Sequence, residues 1–237
     1  MHLESIRLHP DQYPTQDAYP FNLPLFRDTG DVHFRTPITF FIGENGSGKS
    51  TLLEAISRKC RIHIWGESKC RRARYNPHEK TLHQYLTLQW KNGKVPGSFF
   101  GSQIFSQFAE LLETWSIGDP GVLDYFGGES LVTQSHGQSL MSFFQNRFGI
   151  KGLYLLDEPE TALSPKTQLI FLKMLGEISK EEHAQFVIAT HSPILLALPN
   201  ADIYSFNDSS LKKIQYEETD YFRVYKEFML NREKFLS

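Results

Sequence analysis

The sequence is poor in cysteine: only Cys60 and Cys70 occur among its 237 residues. Two thiols cannot build a disulfide framework or a zinc site of four thiolates, and they fit a reducing compartment. An excess of one charge is also lacking. Twenty-five Lys and Arg stand against 27 Asp and Glu, a formal charge of −2, which argues against a protein that coats nucleic acid through bulk charge. No run of about 18 apolar residues is present, so no membrane-spanning helix is expected. The start, Met1-His2-Leu3-Glu4, lacks the apolar stretch of a secretion signal, and a cytoplasmic location is the expectation. Internal repeats and low-complexity tracts are missing too. What is present is an ordinary core composition, 40% hydrophobic and 14% aromatic, too apolar for a disordered chain.

The first 35 residues mix prolines with alternating segments such as Leu3–Leu8, which reads as short antiparallel strands and turns. Ile38–Ile42 is a β-rich apolar run, expected as a buried central strand. It ends at a glycine-rich turn, after which Leu52, Leu53 and Ile56 fall at helical spacing. Residues 1–60 and 150–204 read as one core. About 61–149 reads as an inserted lobe, with a strand over Leu82–Trp90, a turn at Asn92-Gly93 and an amphipathic helix from Ile104 to Trp115 that carries Phe108, Leu111 and Leu112. Leu153–Leu156 and Phe186–Thr190 are two further core strands. Ser164-Pro165 and Ser192-Pro193 each open a helix, serine as cap and proline in the first turn. Leu169, Leu172, Leu175 and Ile178 would stripe the first of these helices. Strands alternating with helices give an α/β class with a mostly parallel sheet, an antiparallel β part and a partly helical lobe, followed by a C-terminal segment over 205–237.

Three segments carry chemistry. Gly43-Glu44-Asn45-Gly46-Ser47-Gly48-Lys49-Ser50 matches G-x-x-x-x-G-K-[ST] between an expected strand and helix. Glycines let successive amides wrap a phosphate, and the helix start adds its positive dipole end. Lys49 is expected on the β- and γ-phosphates, Ser50 on Mg²⁺ and Thr51 on the α-phosphate. Leu153–Leu156 leads into Asp157 and Glu158, two carboxylates delivered to the edge of a parallel sheet. Asp157 suits Mg²⁺, and Glu158 suits the base that polarises an attacking water. His191 follows the strand Phe186–Thr190 and is expected at the same edge, near the γ-phosphate.

With the phosphate loop, Leu-Leu-Asp-Glu-Pro at 155–159 and Thr-His-Ser at 190–192 in this order, the chain resembles an ABC-type (ATP-binding cassette) P-loop ATPase. Asp157 and His191 stand 34 residues apart, as in that family. Ser135-His136-Gly137-Gln138 stands where the family has Leu-Ser-Gly-Gly-Gln, with Gln138 19 residues before Asp157. The resemblance implies ATP and Mg²⁺ as cofactors. It also implies a homodimer with two nucleotides sandwiched between subunits, in which Ser135, Gly137 and Gln138 reach the γ-phosphate held by the partner. Gln103, in Phe99–Gln103, resembles the family glutamine that senses Mg²⁺ and water. Tyr19–Pro24, Glu158–Pro165 and the stretch from Glu218-Thr219-Asp220-Tyr221 to Leu236 further resemble small stand-alone bacterial predicted AAA-family ATPases.

Two departures modify the dimer contact: His136 replaces a signature glycine, and Ser164 follows Thr161-Ala162-Leu163 where many cassettes have Asp. Read alone, Ser135–Gln138 is also a polar glycine turn, Gln103 a solvated glutamine, and Tyr19 or Phe21 either an adenine stack or core. The basic cluster Lys69-Cys70-Arg71-Arg72-Ala73-Arg74 fits a solvated face or a grip on nucleic acid. Three roles follow for such an ATPase: a mechanoenzyme of DNA-repair or defence type with a DNA or protein partner, the nucleotide-binding subunit of a membrane transporter, or a low-turnover module switched by ATP.

Overall fold

The computed structural model describes residues 1–64, 76–101, 111–126 and 136–236. Gln103, Ser135, the basic cluster 69–74 and the first part of the helix expected from Ile104 lie outside them. Strands β1 (Leu3–Leu8), β2 (Asp31–His33) and β4 (Leu86–Trp90) form an antiparallel sheet in the order β2-β1-β4. The remaining strands are β3 (Ile38–Ile42), β5 (Gly97–Gly101), β6 (Gly152–Asp157), β7 (Ala184–Ala189), β8 (Asp202–Ser205) and β9 (Lys212–Ile214). They make a six-stranded sheet ordered β5-β6-β7-β3-β8-β9, parallel except for β9.

The central strands are apolar on both faces, as a parallel sheet covered on both sides requires. Ile38, Phe40, Ile42, Tyr154, Leu156, Phe186 and Ile188 point to one core, against α4 (His136–Arg147), α5 (Pro165–Lys180) and α6 (Pro193–Leu196). Phe41, Leu153, Leu155, Val187 and Ala189 point to the other, against α2 (Lys49–Lys59) and the antiparallel sheet. The short helix α1 (Pro24–Asp28) and the described helical residues 111–118 (α3) complete the middle of the chain, and α7 (Asp220–Leu230) follows β9.

Several local expectations shift. Residues 24–28 are helical within the stretch read as strands and turns. Leu82–Tyr85 form a 3-10 turn ahead of β4 rather than its first half. Of the residues read as an inserted lobe, 86–90 pair with β1 and 97–101 pair with β6, so both lie in the sheets. In α3 only Leu112 of the expected stripe is fully buried; Leu111 and Trp115 are exposed. In α5 Leu169 is 56% exposed, and Phe171 with Leu175 fills the core instead. Among the described residues no helix is long and apolar enough to cross a membrane.

Strand order decides where the chemistry goes. β7 lies between β3, which carries the glycine loop, and β6, which carries the acids. All three are parallel, so their C-terminal ends open on one edge.

Candidate active site

The loop after β3 needs its glycines. Gly43 and Gly48 have φ of +150° and +104°, and a Cβ would come within 2.8 Å of Phe206 Cβ at the first and of Phe26 Cζ at the second. The loop thus folds tightly against the core, with Glu44, Asn45 and Gly46 exposed at its crest and Ser47 half-buried. The Glu44 amide is tied to Asn207 Oδ1 at 2.9 Å. Lys49, at the start of α2, is 4% exposed, and its Nζ donates to the carbonyls of Gly43 at 2.8 Å and Glu44 at 3.0 Å. Burial lowers its pKa, while Glu158 and Asp157 act in the opposite direction. The Thr51 hydroxyl is hydrogen-bonded to that of half-buried Tyr19. Phe21 is fully buried among Tyr13, His78 and Tyr85, which makes it core rather than an adenine platform.

Ser50 Oγ donates to Asp157 Oδ1 at 3.0 Å, joining the loop helix to the end of β6. Burial pushes the Asp157 carboxyl up to about 7, opposed by that hydrogen bond. A hydroxyl and a carboxylate side by side are hard oxygen donors that fit Mg²⁺, which takes one or two protein ligands and leaves other positions to phosphate and water. Among the described residues no group of three or more His, Cys, Asp or Glu could cage a metal alone. Glu158 takes the left-handed conformation, φ +49°, uncommon for a side-chain-bearing residue and typical of strained functional positions. Its amide donates to Ala189 O at 2.9 Å, which fixes the turn against the end of β7.

His191 stands between the loop and the acids, as the position of β7 requires. Its Nε2 lies 3.3 Å from Glu158 Oε1 and makes no hydrogen bond among the described residues. Burial lowers its pKa, and Lys49 lowers it further. Two neighbours escaped the sequence reading. Glu160, with its pKa raised by burial, accepts the His191 amide on Oε1 at 2.6 Å. Tyr221, on α7, places its hydroxyl 2.6 Å from His191 Nδ1 and donates to Gly43 O at 3.0 Å. A second acid two residues past Glu158 was visible in the sequence; Tyr221, 30 residues from His191, left no local signal.

The structure therefore brings Gly43–Thr51, Asp157, Glu158 and His191 to one sheet edge. Gly137 and Gln138 open α4 instead, Gly137 half-buried and Gln138 exposed. A Cβ on Gly137 would lie 3.0 Å from Ala162 O, so α4 packs closely on the turn that follows the acids.

Two family models match parts of the chain. One, described as an AAA domain, covers residues 22–60. The other, whose description joins an AAA domain to AbiEii toxin and "Type IV TA system", covers residues 139–197. The iron(3+)-hydroxamate import ATP-binding protein FhuC of Bacillus subtilis is 25% identical over 170 residues, 65% of this chain and 62% of that protein. The ferric enterobactin transport ATP-binding protein FepC of Escherichia coli is 26% identical over 180 residues, 68% of this chain and 63% of that protein. The chain thus spans a little over three fifths of the length of these curated relatives. Among solved structures, a nucleotide-free ATP-binding cassette from an ABC transporter superposes with a TM-score of 0.56 at 14% identity, covering 91% of this chain and 92% of that one. The SMC head domain of Thermotoga maritima does so with a TM-score of 0.51 at 16% identity, covering 91% and 99%. At such identities the structures establish the fold alone.

Proposed function

We propose that the chain is an ABC-type P-loop ATPase that hydrolyses Mg-ATP at the edge of β3, β6 and β7 to open and close a homodimer. The observation that carries this reading is the meeting of Ser50 with Asp157 at 3.0 Å while Glu158, the next residue, stands 3.3 Å from His191 Nε2. Loop amides from Gly43 to Gly48 surround the phosphates, and phosphate oxygens draw Lys49 Nζ off the Gly43 and Glu44 carbonyls. Thr51 holds the α-phosphate once Tyr19 yields its hydroxyl. Ser50 and Asp157 would hold Mg²⁺, joined by Gln103 as the resemblance implies, and the ion would supply positive charge against the phosphates. Glu158 takes a proton from water as the water oxygen attacks the γ-phosphorus, the bond to the bridging oxygen breaks, and ADP and phosphate leave. Lys49 and His191 Nε2 stabilise the charge on the transferring group.

In this reading Ser135, Gly137 and Gln138 of one subunit close on the γ-phosphate bound by the other, so ATP holds the pair together and hydrolysis loosens it. His136 and Ser164 adjust that contact. The product is a mechanical cycle, in a cytoplasmic mechanoenzyme or switch whose partner is DNA or protein. Glu158→Gln tests the scheme. It should cut turnover by at least about a hundredfold while ATP still binds, and it should trap a dimer in light scattering with Mg-ATP. Monomers alone under those conditions would defeat the proposed dimer.

A second reading, the nucleotide-binding subunit of a transporter, is favoured by the import and transport ATP-binding proteins among the relatives. Co-purification of the native protein with an integral membrane protein decides for it. ATPase stimulation by DNA, lost when Lys69, Arg71, Arg72 and Arg74 are neutralised, decides for the first. Tight ATP binding with very slow turnover would point instead to an ATP-switched binding module.

A further inference from the structure

α7 is exposed along most of its length, yet its first turn is firmly held. Thr219 Oγ1 caps it by accepting from Phe222 N at 3.1 Å and donates to Tyr216 O at 2.7 Å. Tyr216 in turn donates its hydroxyl to Pro193 O at 3.0 Å, two residues beyond His191. These bonds set Tyr221 between the phosphate loop and the histidine. The Tyr221 hydroxyl donates to Gly43 O at 3.0 Å and lies 2.6 Å from His191 Nδ1, so one oxygen joins the loop carbonyl to the ring.

We propose that Tyr221 is a positioning residue for His191. Its hydroxyl bridges Gly43 O and Nδ1, so that the ring presents Nε2 to Glu158 and the nucleotide, and the C-terminal helix is coupled to the phosphate loop. The functional part rests on the reading of His191 as a γ-phosphate contact. A shift of the Gly43 carbonyl on phosphate binding would then reach His191 through a single hydroxyl. Orienting partners one bond removed from the chemistry typically matter by about ten- to a hundredfold.

The test is a double-mutant cycle in the full chain, with kcat and KM for Mg-ATP measured for Tyr221→Phe, His191→Ala and the pair, and thermal unfolding followed for each. Tyr221→Phe should lower kcat by about tenfold and leave KM within about twofold. Added to His191→Ala it should cost nothing more, because its effect passes through the ring. Losses that multiply in the pair, or an unchanged kcat in Tyr221→Phe, overturn the proposal. Long-range ¹H–¹⁵N spectra of the His191 ring without nucleotide read the bond to Tyr221 directly: Tyr221→Phe should move the Nδ1 resonance more than that of Nε2. An unmoved Nδ1 resonance in an active protein defeats the proposal alone. An inactive wild type whose Nδ1 resonance does move on Tyr221→Phe defeats the hydrolysis reading and the functional role built on it, with the bridge itself upheld.

Discussion

Asp157 shows how far the proposed catalytic edge departs from what favours folding. In the unfolded chain its carboxyl titrates near 3.8; in the fold, burial pushes it up to about 7. The folded state therefore binds this proton more tightly than the unfolded state does. Stability from this group is complete below pH 3.8 and drains away as pH rises to about 7, the reverse of a salt-bridged carboxylate. A shift of that size corresponds to at most about 4 kcal/mol. Asp157→Asn keeps the acceptor for Ser50 and removes the charge, so it should raise the melting temperature of the nucleotide-free protein at pH 8 by several degrees and change it little at pH 4. The same variant should lose Mg-ATP turnover. A lower melting temperature at pH 8 would show that the ionised carboxylate is compensated in the fold. The identity of this residue was legible because a short motif fixes its own local geometry: an apolar strand that ends in two acids must present them at a sheet edge. Its perturbed proton affinity was not legible, since that depends first on burial, which the fold alone sets, and then on the neighbours Ser50, Glu158 and Glu54.

Among the elements, the two Ser-Pro helix starts were readable because capping is decided within four consecutive residues. Ser164 Oγ accepts from Thr167 N, and Ser192 Oγ from Ile194 N and Leu195 N. They differ in surroundings. Ser164 is exposed, whereas Ser192 is 5% exposed and donates a further bond to Gln168 Oε1 of α5 at 2.6 Å. Ser164→Ala should cost about 1 kcal/mol and Ser192→Ala about 2 kcal/mol, because the second also strands the half-buried amide oxygen of Gln168. Urea unfolding checks the order; equal losses would mean that the Gln168 bond adds nothing. Faces were harder to read than ends. Leu169–Leu175 is apolar sequence broken only by Lys173, so periodicity alone does not choose which side meets the core, and Phe171 replaced the expected Leu169. Alternation over Leu82–Trp90 likewise concealed the 3-10 turn that precedes β4.

At the level of the whole molecule the open question is what joins the antiparallel sheet to the core sheet, since no strand of one pairs with a strand of the other among the described residues. Apolar packing contributes, with Leu3 and Ile6 of β1 in the same core as Phe41 and Val187. A polar device adds to it. Gln185 interrupts the apolar strand β7 and is fully buried; its Oε1 accepts from the amides of His2 and Leu3, both at 2.8 Å, and its Nε2 donates to Leu3 O at 2.8 Å. The side chain thus serves β1 as a stand-in for a neighbouring strand. In the sequence a glutamine at that point looks like a flaw in a core strand; only the partner 182 positions away gives it a reason. Gln185→Leu keeps the bulk and removes all three bonds, leaving two donors and one acceptor buried at the sheet junction, at a cost of about 1 kcal/mol or more each. Urea unfolding should show a loss of about 3 kcal/mol or more, with turnover per folded molecule preserved because the junction lies at the N-terminal half of β7, away from His191. A loss under about 1 kcal/mol would mean that water or a main-chain shift satisfies the freed groups, and that apolar contact alone holds the two sheets together.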